Sequence, residues 1–202
     1  MKCVECGKEV PKLYEELVKG NIALFQCEAC GKVADKYVEY EFTLVFLNLI
    51  LCKSQVYRHI IFNIDWSTST YDILKILFFS SILDSSLASC ESLPCWLLQI
   101  IKNCAVIILF FTGVYIAAYS SGIKCSKMFL LRAILFSSFG KLGNFMIITW
   151  KYSSLPSTFM ALFIYLNNMI AIRECLEVHT IKAEIFISFA WMFKTLLSSW
   201  FI

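Results

Sequence analysis

Residues 1–40 read MKCVECGKEVPKLYEELVKGNIALFQCEACGKVADKYVEY, and this stretch decides how the rest of the 202-residue chain is to be read. It carries two Cys-x-x-Cys pairs, Cys3/Cys6 and Cys27/Cys30, with 20 residues between them. That spacing is close to the four-thiolate zinc pattern, in which each pair closes a tight knuckle and the two knuckles meet at one tetrahedral ion. Gly7 and Gly31 each follow the second cysteine of a pair. A residue free to take positive φ there lets the backbone turn back beneath the sulfurs.

The same four cysteines also suit a pair of disulfides in a secreted head. A disulfide inside Cys-x-x-Cys closes a very small loop and stabilises little. Structural zinc contributes roughly 10–16 kcal/mol of apparent binding energy in finger peptides, enough to fold a head with little core of its own. Structural Zn2+ on Cys3, Cys6, Cys27 and Cys30 is the better reading.

Beyond the head the chain is dominated by apolar residues. The whole sequence is 59% hydrophobic and 16% charged, with a mean hydropathy of +0.70. Soluble domains carry about half apolar residues. Residues 1–40 contain six lysines and seven carboxylates, 13 of the 33 charged residues, so the head is water-soluble and the remainder is not. A net charge of +3 is too small and too dispersed for a nucleic-acid surface. Met1 runs straight into Lys2 and Cys3 with no apolar leader, so the head is expected in the cytosol, where thiols stay reduced.

The expected fold class is mainly α: a multi-pass transmembrane helical bundle behind a small four-cysteine zinc-ribbon head. Residues 1–40 form the head, 41–63 an interfacial amphipathic helix, and 72–202 a membrane domain of four or five spans. The candidate spans are Ile73–Ala88, which is weak because Lys75 and Asp84 interrupt it, then Asn103–Tyr119, Met128–Trp150, Leu155–Ile172 and Ile185–Ile202. The run Phe42–Cys52 is too short to cross. Followed by Lys53, Tyr57, Arg58 and His59, it suits either a helix in the interface with its cations at headgroup level or a buried helix packed under the head.

With five spans and a cytosolic head, Lys53, Arg58, Lys124, Lys127, Arg132, Arg173 and Lys182 fall on the cytosolic side, against Lys102 and Lys151 on the other. If Ile73–Ala88 does not cross, the later loops reverse. Lys141 and Lys194 lie within spans, where an ionisable group costs about 2.5–3.5 kcal/mol. Asp84 is a candidate partner for Lys141, and interfacial snorkelling of both lysines is the alternative. Asn167 and Asn168 are expected to join helices by hydrogen bonds.

No catalytic pattern stands out. His59 and His179 lack a ligand partner at i+4, and there is no Gly-x-Ser-x-Gly elbow or phosphate loop. The chain is expected not to be an enzyme. Cys52, Cys90, Cys95, Cys104, Cys125 and Cys175 read as small apolar residues or as palmitoylation sites near span ends.

One set of ordered elements resembles a known family. Cys3-Val-Glu-Cys6, Leu13-Tyr14, Gly20-Asn21-Ile22, Cys27-Glu-Ala-Cys30, Ala34 to Tyr40, Leu51-Cys52-Lys53, Tyr57-Arg58-His59 and Phe62-Asn63 resemble the Arv homology domain. That domain opens the Arv family of endoplasmic-reticulum lipid-homeostasis proteins. Leu130 to Ala133, Ser137 to Leu142, and Asn168 with Ala171 to Arg173 are similar to the family's later membrane segments.

The resemblance implies a multi-pass protein of the endoplasmic-reticulum membrane with a cytosolic zinc-type head. It implies a role in sterol uptake, trafficking and distribution, with links to sphingolipid metabolism and to glycosylphosphatidylinositol-anchor assembly. The implied partners are membrane lipids, a sterol or a glycolipid, together with proteins of anchor assembly. Two mechanisms fit: a protein that moves or presents lipid, and a zinc-ribbon adaptor or glycolipid translocation factor that supports anchor assembly. Tyr37, Tyr40 and Tyr57 are expected at headgroup depth, where aromatic rings satisfy apolar and polar neighbours together.

Overall fold

In a computed structural model the chain forms two compact units, Met1–Trp66 and Ser67–Ile202. The structure describes residues 1–17, 21–64, 70–85, 92–142 and 154–198. It is mainly helical, with seven α-helices among the described residues.

The first unit is a β-knuckle head. Strand β1 (Tyr14–Glu16) pairs antiparallel with β2 (Ile22–Leu24) in the register Tyr14↔Leu24, Glu15↔Ala23 and Glu16↔Ile22. The chain on either side of this hairpin forms the knuckles. Each is closed by an isolated bridge, Lys2↔Glu9 in one and Gln26↔Val33 in the other. The small core is Cys3, Val10, Leu13, Cys27 and Ala34, with Phe25, Cys30 and Val38 packed against it.

Residues 41–63, expected to be one amphipathic helix, are broken in two. Helix α1 (Phe42–Ile50) ends where Cys52 takes the left-handed conformation, φ +53°. The Cys52 and Lys53 amides bond back to the carbonyls of Leu49 and Asn48, satisfying the last carbonyls of the helix. Helix α2 (Ser54–Arg58) follows and runs into a single π-turn, His59–Asn63. The halves differ in surroundings. Phe42 is 81% exposed and Leu51 64%, with Leu44, Leu47 and Ile50 also exposed. Val56, Tyr57, Ile60 and Ile61 are buried.

The second unit contains α3 (Thr70–Ser85), α4 (Leu93–Ser120), α5 (Lys127–Ser137), α6 (Ser154–Leu176) and α7 (Thr180–Ser198), with a 3-10 turn Ser138–Leu142 after α5. Helix α4 packs on α3 and α7, and α6 on α5 and α7. Small residues allow the α4–α7 approach: a Cβ added to Gly113 would lie 2.9 Å from the Cα of Ala190. Polar side chains tie other pairs. Asn103 Nδ2 donates to Ser85 Oγ at 3.0 Å between α4 and α3, and Ser137 Oγ donates to Asn168 Oδ1 at 2.6 Å between α5 and α6. Asn167 instead donates to the Phe163 carbonyl of its own helix. Asn168 thus makes the inter-helix hydrogen bond expected of it.

Two helices are long and apolar enough to cross a membrane among the described residues, Leu93–Ser120 and Thr158–Leu176. The expected Asn103–Tyr119 span is the later part of α4, whose 28 residues extend about 42 Å against a hydrocarbon core of about 30 Å. Hydropathy placed its start too late because Lys102 and Asn103 interrupt the apolar run, although a helical backbone continues through both. The expected continuous span Met128–Trp150 is not formed. Helix α5 stops after 11 residues, about 16 Å, and tightens into the 3-10 turn. Residues 143–150 lie outside the described residues.

Helix α7 is long enough but carries Lys182, Glu184 and Lys194, and residues 199–202 of the expected last span lie outside the described residues. Helix α3 has 16 residues, and residues 86–88 of the weak first span also lie outside. So does the side chain of Asp84, and with it the expected Asp84–Lys141 pair.

Candidate metal centre

The two knuckles repeat one hydrogen-bond pattern. In the first, the Cys3 amide bonds to the Lys8 carbonyl at 2.8 Å and the Gly7 amide to the Cys3 carbonyl at 2.9 Å. In the second, Cys27 bonds to Lys32 and Gly31 to Cys27, both at 2.8 Å. Gly7 (φ +77°) and Gly31 (φ +70°) both use the left-handed conformation that their position after the second cysteine suggested. The Val4 amide joins the knuckles by donating to the Ala34 carbonyl at 2.8 Å.

The result is a cluster of four free thiols, with all four Sγ atoms within 4.8 Å of one another. Cys3 and Cys30 are 3.8 Å apart, and Cys6 and Cys27 3.7 Å. With Zn–S bonds of about 2.3 Å, the edge of a tetrahedral four-sulfur site is about 3.8 Å. Two edges of the cluster match that length and the rest lie within 4.8 Å, so the donor set fits a tetrahedral, thiophilic ion. Cys3 and Cys27 are buried, Cys30 is half-buried and Cys6 is exposed, so the cluster sits at the edge of the head. Burial pushes the Cys3 thiol up to about 12. For Cys27 burial acts in the same direction, but hydrogen bonds from the Ala29 and Cys30 backbone and the neighbouring thiols outweigh it and bring the group to about 7. Cys27 is thus the thiol of this pair that becomes a thiolate more readily.

The frame around the cluster comes from the segment after α1, which the linear reading placed either in the interface or in a buried helix packed under the head. Arg58 follows the second of these readings and donates from Nη1 to the carbonyls of Val4 and Glu5, both at 2.8 Å. Its neighbour His59 donates from Nδ1 to Asp35 Oδ2 at 2.7 Å. Asp35 is fully buried and also accepts from Asn63 Nδ2 at 2.7 Å and from the Tyr37 amide at 2.9 Å. Asn63 in turn pairs with Lys2, its Oδ1 accepting from the Lys2 amide and its Nδ2 donating to the Lys2 carbonyl, both at 2.7 Å. The segment 58–63 is therefore built into the head beside the first knuckle.

This geometry corrects two further expectations. Tyr37 and Tyr57 are 3% and 0% exposed, so neither ring is at a free surface. Burial pushes the Tyr37 hydroxyl up to about 12 and raises Tyr57 as well. Tyr40 is exposed, its ring set edge-on against Tyr37 at 5.3 Å. Glu5 sits between two of the cysteines and receives Lys36 Nζ at 3.0 Å, a bond that holds its carboxyl below the usual range.

The Arv1-like family profile matches residues 2–94. "Protein arv1 homolog" of Dictyostelium discoideum is 32% identical over 231 aligned positions, which cover 98% of this chain and 94% of that protein. "Protein ARV1" of Homo sapiens is 28% identical over 202 positions, covering 88% of this chain and 73% of that protein. "Protein arv1" of Schizosaccharomyces pombe is 52% identical over 65 positions, 31% of this chain and 24% of that protein. No solved structure matches the chain. A full-length relative above 30% identity, together with a family profile that takes in the whole cysteine head, shows that the chain belongs to the Arv1-like family.

Proposed function

We propose that this chain is a multi-pass protein of the endoplasmic-reticulum membrane that serves lipid homeostasis without catalysing a reaction. In this reading it acts in sterol uptake, trafficking and distribution, with effects on sphingolipid metabolism. A structural zinc ion on Cys3, Cys6, Cys27 and Cys30 folds a cytosolic head, and the second unit supplies four or five spans.

The observation that carries the membrane reading is α1. It follows a folded polar head, yet Phe42, Leu44, Leu47, Ile50 and the adjoining Leu51 present an apolar surface with no cover. Such a surface on a short helix matches insertion into the headgroup boundary. Lys53 follows it directly, at a depth suited to anionic headgroups. Arg58 and His59 take no part in that contact, because their side chains complete the head.

A cavity of about 610 Å³ supports the sterol part. It lies where α4 gives way to α5, lined by Tyr115, Ala118, Tyr119, Lys124, Ser126 and Leu130 among others. Its volume is within the usual range for small-molecule sites, and hydroxyl groups on an apolar wall suit a molecule with one polar end. Crosslinking with a photoactive sterol in microsomes tests this. Label on residues 115–130, competed by unlabelled sterol, is the expected result. Label spread evenly over all helices would remove the sterol reading. Reconstituted protein that accelerates neither sterol exchange nor glycolipid scrambling would favour the adaptor for glycosylphosphatidylinositol-anchor assembly.

A further inference from the structure

Two thiols meet in the helical unit, away from the head. Cys125 Sγ and Cys175 Sγ are 3.6 Å apart, although 50 residues separate them in the chain. Cys125 lies in the short connection 121–126 between α4 and α5, and Cys175 in the last turn of α6. Both helix ends are closed in the same way. Gly122 (φ +72°) ends α4, with the Ile123 amide bonded to the Ala118 carbonyl at 3.1 Å. Glu177 (φ +53°) ends α6, with the Val178 amide bonded to the Arg173 carbonyl at 3.2 Å. At the far end of α5 the Ser137–Asn168 hydrogen bond ties that helix to α6. Packed and capped helices therefore bring the two sulfurs together.

We propose that Cys125 and Cys175 are a redox modification site, a dithiol that closes to a disulfide by exchange with a small peptide disulfide such as glutathione disulfide. The sulfurs are already in contact, and a bond of about 2.0 Å requires about 1.6 Å of further approach. The connection 121–126 can supply that movement without disturbing either helix. Cys104 of the same unit is placed differently, since its Sγ meets the Ser81 hydroxyl at 3.1 Å.

Exposure sets the order of events. Cys125 is half-buried and lines the cavity of about 610 Å³, whereas Cys175 is 5% exposed. A small disulfide therefore reaches Cys125 first. Lys124 and Lys127 are exposed on either side of it and suit a reagent that carries carboxylates. The Cys125 thiolate attacks one sulfur of the small disulfide, which leaves a mixed disulfide on Cys125 and releases one thiolate. Cys175 then loses its proton, attacks Cys125 Sγ and displaces the second thiolate. The two protons lost by the cysteines end on the two released thiols. Two protein thiols are oxidised, and one small disulfide is reduced.

Closure ties the cavity wall that carries Cys125 to the end of α6. The positive-inside count sets Lys124, Lys127 and Arg173 on the cytosolic side, where the glutathione pool is mainly reduced. The pair is then open at rest and closes under oxidation. That resting state rests on the membrane reading above; the exchange chemistry does not.

The test equilibrates the full chain, purified in detergent, with glutathione and glutathione disulfide, and maps alkylated and joined peptides by mass spectrometry. A Cys125–Cys175 peptide pair is the expected product, reversed by excess glutathione, with Cys104 still open to alkylation. Cys175→Ser is expected to accumulate glutathione on Cys125, and Cys125→Ser to leave Cys175 unmodified. Hydrogen exchange over residues 122–126 should slow at least about tenfold on oxidation of wild type and stay unchanged in Cys175→Ser. Thiols that both remain alkylated in glutathione disulfide would overturn the site, as would a wild type held only as the mixed disulfide. Either failure leaves the membrane reading untouched. In intact cells, rapid alkylation is expected to find both thiols reduced at rest and joined after treatment with diamide. A pair already joined at rest would overturn the switch and would also count against the cytosolic orientation, and thiols still reduced after diamide would overturn the switch alone.

Discussion

Arg58 Nη1 donates to the carbonyls of both Val4 and Glu5 at 2.8 Å, so a cation 54 residues from Val4 caps the first cysteine knuckle. Val4 and Glu5 lie between Cys3 and Cys6, so a charged donor on their carbonyls orients the loop that carries both thiols. Such supporting contacts typically alter metal affinity by about 10–100-fold. Arg58→Ala is expected to weaken zinc binding by that factor, measured by competition with a chromophoric chelator. An unchanged affinity would mean that the thiolates alone set the geometry.

Cys27→Ala leaves three sulfurs and an open coordination position. In the structural-zinc reading the ion folds the head, so the head is expected to lose order along with the ion. Purified Cys27→Ala should hold much less than one equivalent of zinc. A full equivalent would contradict the four-thiolate assignment.

Asp35 is fully buried and accepts hydrogen bonds from His59, Asn63 and the Tyr37 amide. Asp35→Asn keeps the volume but turns an NH2 group toward donors. The expected cost is about 1.5–3 kcal/mol, the usual scale for a hydrogen bond to a charged group. Hydrogen exchange at the Tyr37 amide should speed up accordingly in the full-length variant, and unchanged protection would show that Asp35 does not hold this turn.

The Tyr37 hydroxyl is buried and has no hydrogen-bond partner among the described residues. Tyr37→Phe removes that desolvated group and is expected to stabilise the head by about 1 kcal/mol. The sign with pH follows from burial, which raises the hydroxyl from 10.0 to about 12. The unfolded chain ionises first, so the stability tied to the neutral group is complete below pH 10 and is lost as the pH rises toward 12. Chemical unfolding at pH 9 and pH 11 should show a steeper loss in wild type than in Tyr37→Phe. Equal losses would contradict this account.

Gly113 faces Ala190 so closely that any side chain meets backbone. Gly113→Leu is expected to separate α4 from α7 and to lower stability by about 1–3 kcal/mol, the usual range for overpacking. The check is the melting temperature of purified protein in detergent, and a melting curve like that of wild type would place the α4–α7 contact elsewhere.

The linear pattern carried much of the head. Cysteine spacing located all four sulfurs of the cluster, and the glycine after each pair marked the left-handed turn, because a knuckle is a local structure closed by neighbours in sequence. Hydropathy located the later part of α4 and most of α6 for the same reason. It misplaced the start of α4 and read α5 through as one span, since an apolar window reports transfer into lipid and is blind to where backbone hydrogen bonding tightens. The apolar run ends at Cys52, yet the left-handed turn there had no glycine to mark it, so 41–63 read as one helix.

By itself, then, the chain of residues determined a thiolate head followed by an apolar helical remainder, because spacing and hydropathy are properties of short windows. Only the tertiary structure decided that Arg58, His59 and Asn63 belong to the head, and that Cys125 and Cys175 meet. The partners are 24 to 61 residues away in the first case and 50 residues apart in the second. A side chain's direction over such separations is set by how helices and turns pack, and no local pattern encodes it.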